Sequence, residues 1–185
     1  MVNFILSCLY FFLPAYFTNM TPPLAKKLGI LKFLDKPVDF KMKFKGKRVF
    51  GSHKTWRGIL AGLILGTTVA FIQSLLYTFP SIQDISFFNY QQINVLFFGL
   101  LMSGGALVGD LMNSFLKRRV GIKPGGKFLP LDQTNYVIGA GLFLTLFGEI
   151  DISILVWVTL FTLTFFIHII FNRLGYHLNI HQAKW

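Results

Sequence analysis

The placement of positive charge constrains this chain more than any other feature. Charge-poor apolar runs at 2–18, 58–79, 93–113, 134–149 and 152–172 alternate with polar stretches that share the 18 Lys and Arg unevenly. Eleven lie between residues 19 and 57, five between 114 and 132 and two after 172, whereas 80–92 and 149–152 hold none. Five helices that cross a bilayer in alternating directions put all three basic stretches on one side, as the preference of Lys and Arg for the cytosolic side requires. An even number of crossings would scatter them. The expected fold is therefore all-α: a polytopic integral membrane protein of five transmembrane helices, N-terminus outside and C-terminus cytosolic, forming one domain over residues 1–185. The first run lacks a basic leader and an Ala-x-Ala-like cleavage site, so it reads as a retained helix rather than a signal peptide.

Composition agrees with that fold. Of 185 residues, 54% are hydrophobic, against 14% charged. A helix needs roughly 20 apolar residues to cross about 30 Å of hydrocarbon, and the apolar content supplies roughly five such helices. Soluble, disordered and disulfide-stapled classes are excluded, the last because Cys8 is the only cysteine. The net charge of +11 sits on the loops, where its plainest use is to set topology and to touch anionic lipid headgroups. Without an RNA- or DNA-binding motif, and with the basic residues tethered at a membrane, nucleic acid is not an expected partner.

Apart from Glu149 at the very end of the 134–149 run, Asp110 is the only carboxylate inside an apolar run. Such a residue costs up to about 2.5–3.5 kcal/mol at mid-membrane, so it usually faces a polar cavity and serves a function. Asp110, Ser114 and Lys117 fall at i, i+4 and i+7 and share a helical face. The competing reading is a snorkelling helix end, with Asp110 paired to a local Lys or Arg. A Gly- and Pro-rich connection, Gly121 to Pro130, leads to Asp132 and Asn135 at the start of the fourth helix. Asp132 alone could be a helix cap. Together with Asp110 and the cations around it, it suits a hard divalent metal bound with a polyphosphate: Mg²⁺ takes one or two carboxylates plus phosphate oxygens, and Lys and Arg neutralise the rest.

Before the second helix, Gly51-Ser52-His53-Lys54-Thr55-Trp56-Arg57-Gly58 offers backbone amides, a hydroxyl and two cations to an anion. The bland alternative is a headgroup anchor of Trp56 and Arg57. It is not a P-loop: Ser52-His53 follow Gly46-x4-Gly51 where Lys-Ser/Thr is required, and no strand precedes it. His177 and His181 stand at i, i+4 in the tail with no acid near them. The ridges Gly58-x3-Gly62-x3-Gly66 and Gly105-x3-Gly109 permit close helix contact, which would fix Asp110 relative to the Lys54–Arg57 loop.

The pattern Gly109-Asp110-Leu111-x-x-Ser114-Phe115-x-Lys117-Arg118-Arg119-x-Gly121-Ile122, followed by Pro124-Gly125 and Leu131-Asp132-Gln133, resembles the CDP-archaeol synthases, small relatives of the phosphatidate cytidylyltransferases. The likeness extends to Asn19, Pro22, Asp39, the run Gly46 to Gly51, Lys54-Thr55-Trp56-Arg57-Gly58 and the Trp-terminated tail. It implies five transmembrane helices and Mg²⁺-dependent transfer of a cytidylyl group from CTP to an isoprenoid glycerol ether phosphate, releasing pyrophosphate. It also implies metal on Asp110 and Asp132, with Lys117 at the reacting centre. The triphosphate would be held by Lys54, Arg57, Lys117 and Arg118, with Thr55, Ser114, Arg119, Lys123 and Asn135 as further cofactor-binding candidates. Asn135 stands where most members place a second Asp; its amide oxygen can ligate Mg²⁺ but brings no charge. Two other readings remain at this stage: the same transfer to a diacyl lipid phosphate, and a non-catalytic membrane protein that binds anionic lipid.

Overall fold

The computed structural model describes residues 1–123, 126–148 and 151–178. Five long helices account for the apolar runs: α1 (Val2–Leu28), α2 (Trp56–Leu76), α4 (Val95–Arg119), α5 (Leu131–Phe147) and α6 (Ile154–His177), with a single-turn α3 (Pro80–Gln83) between α2 and α4. Among the described residues, α1, α2, α4 and the segment Ile154–Phe171 of α6 are long and apolar enough to cross a membrane. The 17 residues of α5 rise only about 26 Å, so α5 is the short member of the set. The chain is thus a multi-span helical protein.

Contacts fix the direction of each helix. Along α1 and α2, Pro22 meets Gly58, Thr18 meets Gly62 and Gly66, and Tyr10 exchanges hydrogen bonds with Gln73, an antiparallel order. Against α4, Gly62 meets Leu107 and Gly66 meets Ser103, again antiparallel. Helix α5 returns along α4 and α6 along α5, the latter through Trp157 on Gly141 and His168 beside Tyr136. Helices α1, α4 and α6 therefore run one way and α2 and α5 the other.

The first helix is longer than its apolar run. It continues through Thr18 to Leu28 despite Pro14, Pro22 and Pro23, and stops where Gly29 takes a left-handed φ of 68° with its N–H on the Lys26 carbonyl. Pro22 removes the amide that would serve the Thr18 carbonyl. That carbonyl faces Gly62, where an added Cβ would lie 3.1 Å from it. Gly66 is tighter still, its Cβ position 2.0 Å from Thr18 Oγ1 and 2.3 Å from Ser103 Oγ. The small-residue ridge of α2 thus packs into α1 and α4.

The two ends of the bundle differ in chemistry. At one end, Phe4, Phe11, Tyr77, Phe87, Phe88, Tyr90 and Phe98 form an aromatic cluster where the basic-free stretch 80–92 folds over α1, α2 and α4. At the other, Lys27 Nζ reaches the Leu178 carbonyl at 2.9 Å, Lys47 Nζ the Arg119 carbonyl at 3.3 Å, and Lys54 reaches Asp110. The three basic stretches converge there, as their charge pattern requires. Between α1 and α2 the chain adds a short hairpin, β1 (Lys43–Phe44) paired with β2 (Lys47–Arg48), which the lysine-rich sequence does not signal.

Candidate active site

The site forms where the C-terminal half of α4 meets the start of α5 and the segment leading into α2. Glycines set the approach. A Cβ on Gly105 would lie 2.6 Å from the Gly139 carbonyl oxygen, and one on Gly109 would lie 2.2 Å from that of Asn135. Backbones can come this close only where side chains are absent. The expected placing of Asp110 relative to the Lys54–Arg57 segment falls to the α2 ridge, which packs on α4 at Gly62 and Gly66, whereas the Gly105–Gly109 ridge grips α5. The consequence for chemistry is the same kind of fixation, applied to a different pair: it sets α5, and with it Asp132, against the turn of α4 that carries Asp110.

Each carboxylate has a lysine partner. Asp110 Oδ2 accepts from Lys54 Nζ at 2.5 Å. Lys117 Nζ straddles the Asp132 carboxylate at 2.8 and 2.9 Å. Asp132 Oδ1 also accepts from Asn113 Nδ2 at 2.8 Å, and Oδ2 from the Phe128 amide at 2.8 Å. Asn113 is three residues beyond Asp110 on α4, so its side chain lies one turn from that of Asp110 and about 5–6 Å away at Cβ. Asn113 thus bonds Asp132 from one turn along α4 beyond Asp110. Asp110 pairs with a lysine 56 residues earlier in the chain, not with a local one. Asp132 does not cap its own helix, which begins at Pro130 without a side-chain cap; it ties down the incoming loop instead.

The remaining candidates divide by position. Thr55 caps α2, accepting from the Gly58 amide at 3.3 Å. Lys54 and Thr55 line a cleft with Pro22, His53, Gly58, Ile59, Leu107, Asp110 and Leu111, polar at the loop and apolar toward the bundle. Arg57 is buried and its guanidinium pairs with Asp35 at 2.9 Å. Ser114 is buried on the same turn of α4 as Asn113. Arg118 is buried against Gly51, and its Nε has no partner. Arg119 turns away to the hairpin, donating to the carbonyls of Phe44, Lys47 and Arg48 and lying 4.8 Å from the Phe115 ring centroid. Lys123 is exposed on the loop. Asn135 is buried with its Oδ1 unpartnered.

Sequence reasoning gave no role to two residues. Asn113 is one; its i+3 spacing from Asp110 and i−4 spacing from Lys117 place it on the site face, and that spacing was available in the sequence. Asp39 is the other. Its side chain is wholly buried, with both oxygens engaged by Arg48 and by the amides of Lys41, Phe50 and Gly51. Burial by itself would raise its pKa, but Arg48 and then those three amides outweigh that and hold the carboxyl below the usual range. Asp39 thereby fixes the backbone of residues 50–51, three residues from Lys54. The backbone accepts strain to do so: Phe40 and Lys41 both have positive φ, 44° and 68°. His53 lies among cations, and burial together with Lys26, Lys54 and Arg118 holds its imidazole below the ordinary value.

The donor set fits a hard divalent cation. Besides the carboxylates of Asp110 on α4 and Asp132 on α5, two amide oxygens, Asn113 Oδ1 one turn along α4 from Asp110 and Asn135 Oδ1 one turn along α5 from Asp132, are buried without a partner. Among the described residues no three His, Cys, Asp or Glu cluster, so an ion here would rely on few protein carboxylates and complete its shell with phosphate or water, the habit of Mg²⁺. Of the tail pair, His177 ends α6 and His181 lies outside the described residues.

Comparison with known proteins gives a consistent result. The CarS-like family, described as CDP-archaeol synthase, matches residues 1–185. The CDP-archaeol synthase of Pyrococcus furiosus is 37% identical over 141 residues, covering 75% of this chain and 74% of the relative. That of Methanocaldococcus jannaschii is 33% identical over 178 residues, covering 96% and 95%, and that of Sulfurisphaera tokodaii is 29% identical over 185 residues, covering 100% and 98%. A solved structure of an intramembrane enzyme for archaeal membrane lipid biosynthesis superposes with a TM-score of 0.71 at 26% identity, over 89% of this chain and 91% of that one.

Proposed function

The chain belongs to the CDP-archaeol synthase family, and from that premise we propose that it transfers a cytidylyl group from CTP to an isoprenoid glycerol ether phosphate, giving a CDP-lipid and pyrophosphate. The observation that carries this reading is the site itself. Two carboxylates, Asp110 on α4 and Asp132 at the start of α5, each paired with a lysine, sit at the basic end of an apolar bundle. A membrane-bound phosphate and a soluble nucleotide can meet only at such an interface.

The lipid phosphate oxygen attacks the α-phosphorus of CTP in line; that P–O bond forms as the bond to the β-phosphate bridging oxygen breaks, and pyrophosphate leaves with the electron pair. A phosphate monoester has its second pKa near about 6 and is already ionised, so the site needs no histidine base. Lys54, Lys117 and Arg118 offset charge on the triphosphate and on the leaving pyrophosphate. Asp110 and Asp132 would hold Mg²⁺, with the unpartnered Asn113 and Asn135 oxygens as candidate further ligands. When bound, that ion supplies Lewis-acid stabilisation of phosphoryl oxygens. Arg57 and Arg119 act at one remove, as pins for the Asp35 loop and the hairpin.

In this reading five helices span the membrane, the short α5 included, with the N-terminus outside and the active site and C-terminus on the cytosolic face. Support comes from the alternating helix directions and from the gathering of the basic stretches at one end. The test is product identity. Purified protein in nanodiscs is given CTP, Mg²⁺ and a panel of lipid phosphates, and the CDP-lipid is identified by mass. The CDP derivative of the isoprenoid ether phosphate is expected; preference for diacyl phosphate would reassign the acceptor, and no CDP-lipid from any phosphate would overturn the activity.

A further inference from the structure

We infer that Lys54 and Lys117 are built-in counter-cations of the metal site, so that a divalent ion binds tightly only when a polyphosphate arrives to take the lysines over. The inference rests on the cytidylyltransferase reading for the identity of the polyphosphate, but not for its test.

The carboxylate oxygens that suit a divalent ion are already engaged by ammonium groups. Lys54 holds Asp110 at 2.5 Å, and Lys117 bridges both oxygens of Asp132 at 2.8 and 2.9 Å. The two lysines come from different elements, the segment before α2 and the last turns of α4. A metal entering alone must displace or crowd both ammonium groups and leave them close to its own double charge, which is unfavourable in a partly desolvated site. A triphosphate removes that obstacle because it offers the ammonium groups new anionic oxygens and the metal further ligands.

The geometry permits such an exchange. The paired side chains stay partly exposed, 28% and 24% for Lys54 and Asp110 and 13% and 23% for Lys117 and Asp132. Lys54 and Asp110 border the same cleft, so the lysine can swing from carboxylate to phosphate within it. Asn113 keeps Asp132 in place through Nδ2 while Lys117 leaves. Metal and nucleotide then bind with positive coupling, and the coupling is reciprocal. Without nucleotide the site holds metal only weakly.

The test uses the full chain in zwitterionic nanodiscs, with Mn²⁺ as the probe, its free concentration read by electron paramagnetic resonance and the Mn²⁺ held by CTP itself subtracted by the same titration on empty nanodiscs. For the unaltered protein, adding CTP without lipid phosphate is expected to tighten Mn²⁺ binding by about 5–150-fold, the ordinary range for coupled sites. Lys54→Met and Lys117→Met are each expected to bind Mn²⁺ alone at least several-fold more tightly and to lose most of the CTP enhancement. Lys54→Arg keeps a positive charge beside Asp110, so Mn²⁺ alone should bind it no more tightly than it binds the unaltered protein. Lys43→Met, an exposed hairpin lysine, controls for net charge and should change nothing. Equal Mn²⁺ affinity with and without CTP in the unaltered protein would overturn the inference. So would Mn²⁺ affinity in either folded Met variant no tighter than in the Lys43→Met control. If a Met variant fails to fold, the CTP dependence of the unaltered protein still decides. Failure of the transfer reaction would show as missing CDP-lipid, a separate readout.

Discussion

Gly109→Ala isolates the packing that sets Asp132 against Asp110. The new Cβ would fall 2.2 Å from the Asn135 carbonyl oxygen, 3.0 Å from its carbon and 3.1 Å from Gly139 Cα, whereas ordinary contact begins near 3.4 Å. The shortfall is about 1.2 Å, and the obstacle is helix backbone, which cannot rotate aside. Helices α4 and α5 must separate or slide by about that distance. The Asn113–Asp132 bond, now 2.8 Å, would open to about 4 Å, beyond hydrogen-bonding range. Overpacking of this kind costs about 1–3 kcal/mol of stability, and a misplacement of about 1 Å costs about 100-fold in rate. Gly104→Ala is the matched control, since its Cβ would meet only Phe143 Cε1 at 3.8 Å. The assay is the rate of CDP-lipid formation at saturating CTP, alongside melting temperature in detergent. A Gly109→Ala enzyme within about threefold of the unaltered rate, or a Gly104→Ala enzyme equally impaired, would refute this account of how the site is held.

Gly66→Ala should destabilise without altering the site directly, because its Cβ would collide with Thr18 Oγ1, Ser103 Oγ and the Pro14 carbonyl in the middle of the bundle; a lowered melting temperature with near-normal kcat in the surviving protein is expected. Asp39→Asn should cost about 3 kcal/mol, the low end for a broken buried pair because Arg48 stays 27% exposed, and should raise KM for CTP by loosening the approach to Lys54. The pH sign follows from the lowered pKa of Asp39. Its stabilisation is complete above the unfolded value of about 3.9 and is lost as pH falls through the lower folded value. Acid melts from pH 5 downward should therefore be steeper for the unaltered protein than for Asp39→Asn, to the extent set by that one group.

Much of this architecture could be read from residue order, and the failures have physical causes. Long apolar runs and the sidedness of Lys and Arg report helices and their alternation because a bilayer punishes any other arrangement. The extension of α1 past Thr18 was not legible, since Pro22 and Pro23 signal a break, whereas here the carbonyl freed by Pro22 is absorbed at the close contact with Gly62. The hairpin at 43–48 carries lysines on both strands and no alternating apolar pattern; its order comes from Asp39 and Arg119, which bind backbone groups that any sequence would offer. At the site, Asp110, Asp132, Lys54 and Lys117 were identifiable as charges in or beside apolar segments. The commitment of Arg57 to Asp35 and of Arg119 to the hairpin was not, because every arginine near the membrane looks equally available to phosphate.

The central claim is that Asp110 and Asp132 serve one catalytic centre, and comparison of the single and double asparagine variants tests it most directly. Asp110→Asn and Asp132→Asn should each lower the rate of CDP-lipid formation by more than about 100-fold, equivalent to roughly 2.7 kcal/mol of barrier, in protein that melts cooperatively. Residues acting as a unit are non-additive, so the double variant should be no slower than the worse single one. Losses that multiply in the double variant, or a single variant that keeps full activity, would contradict the claim.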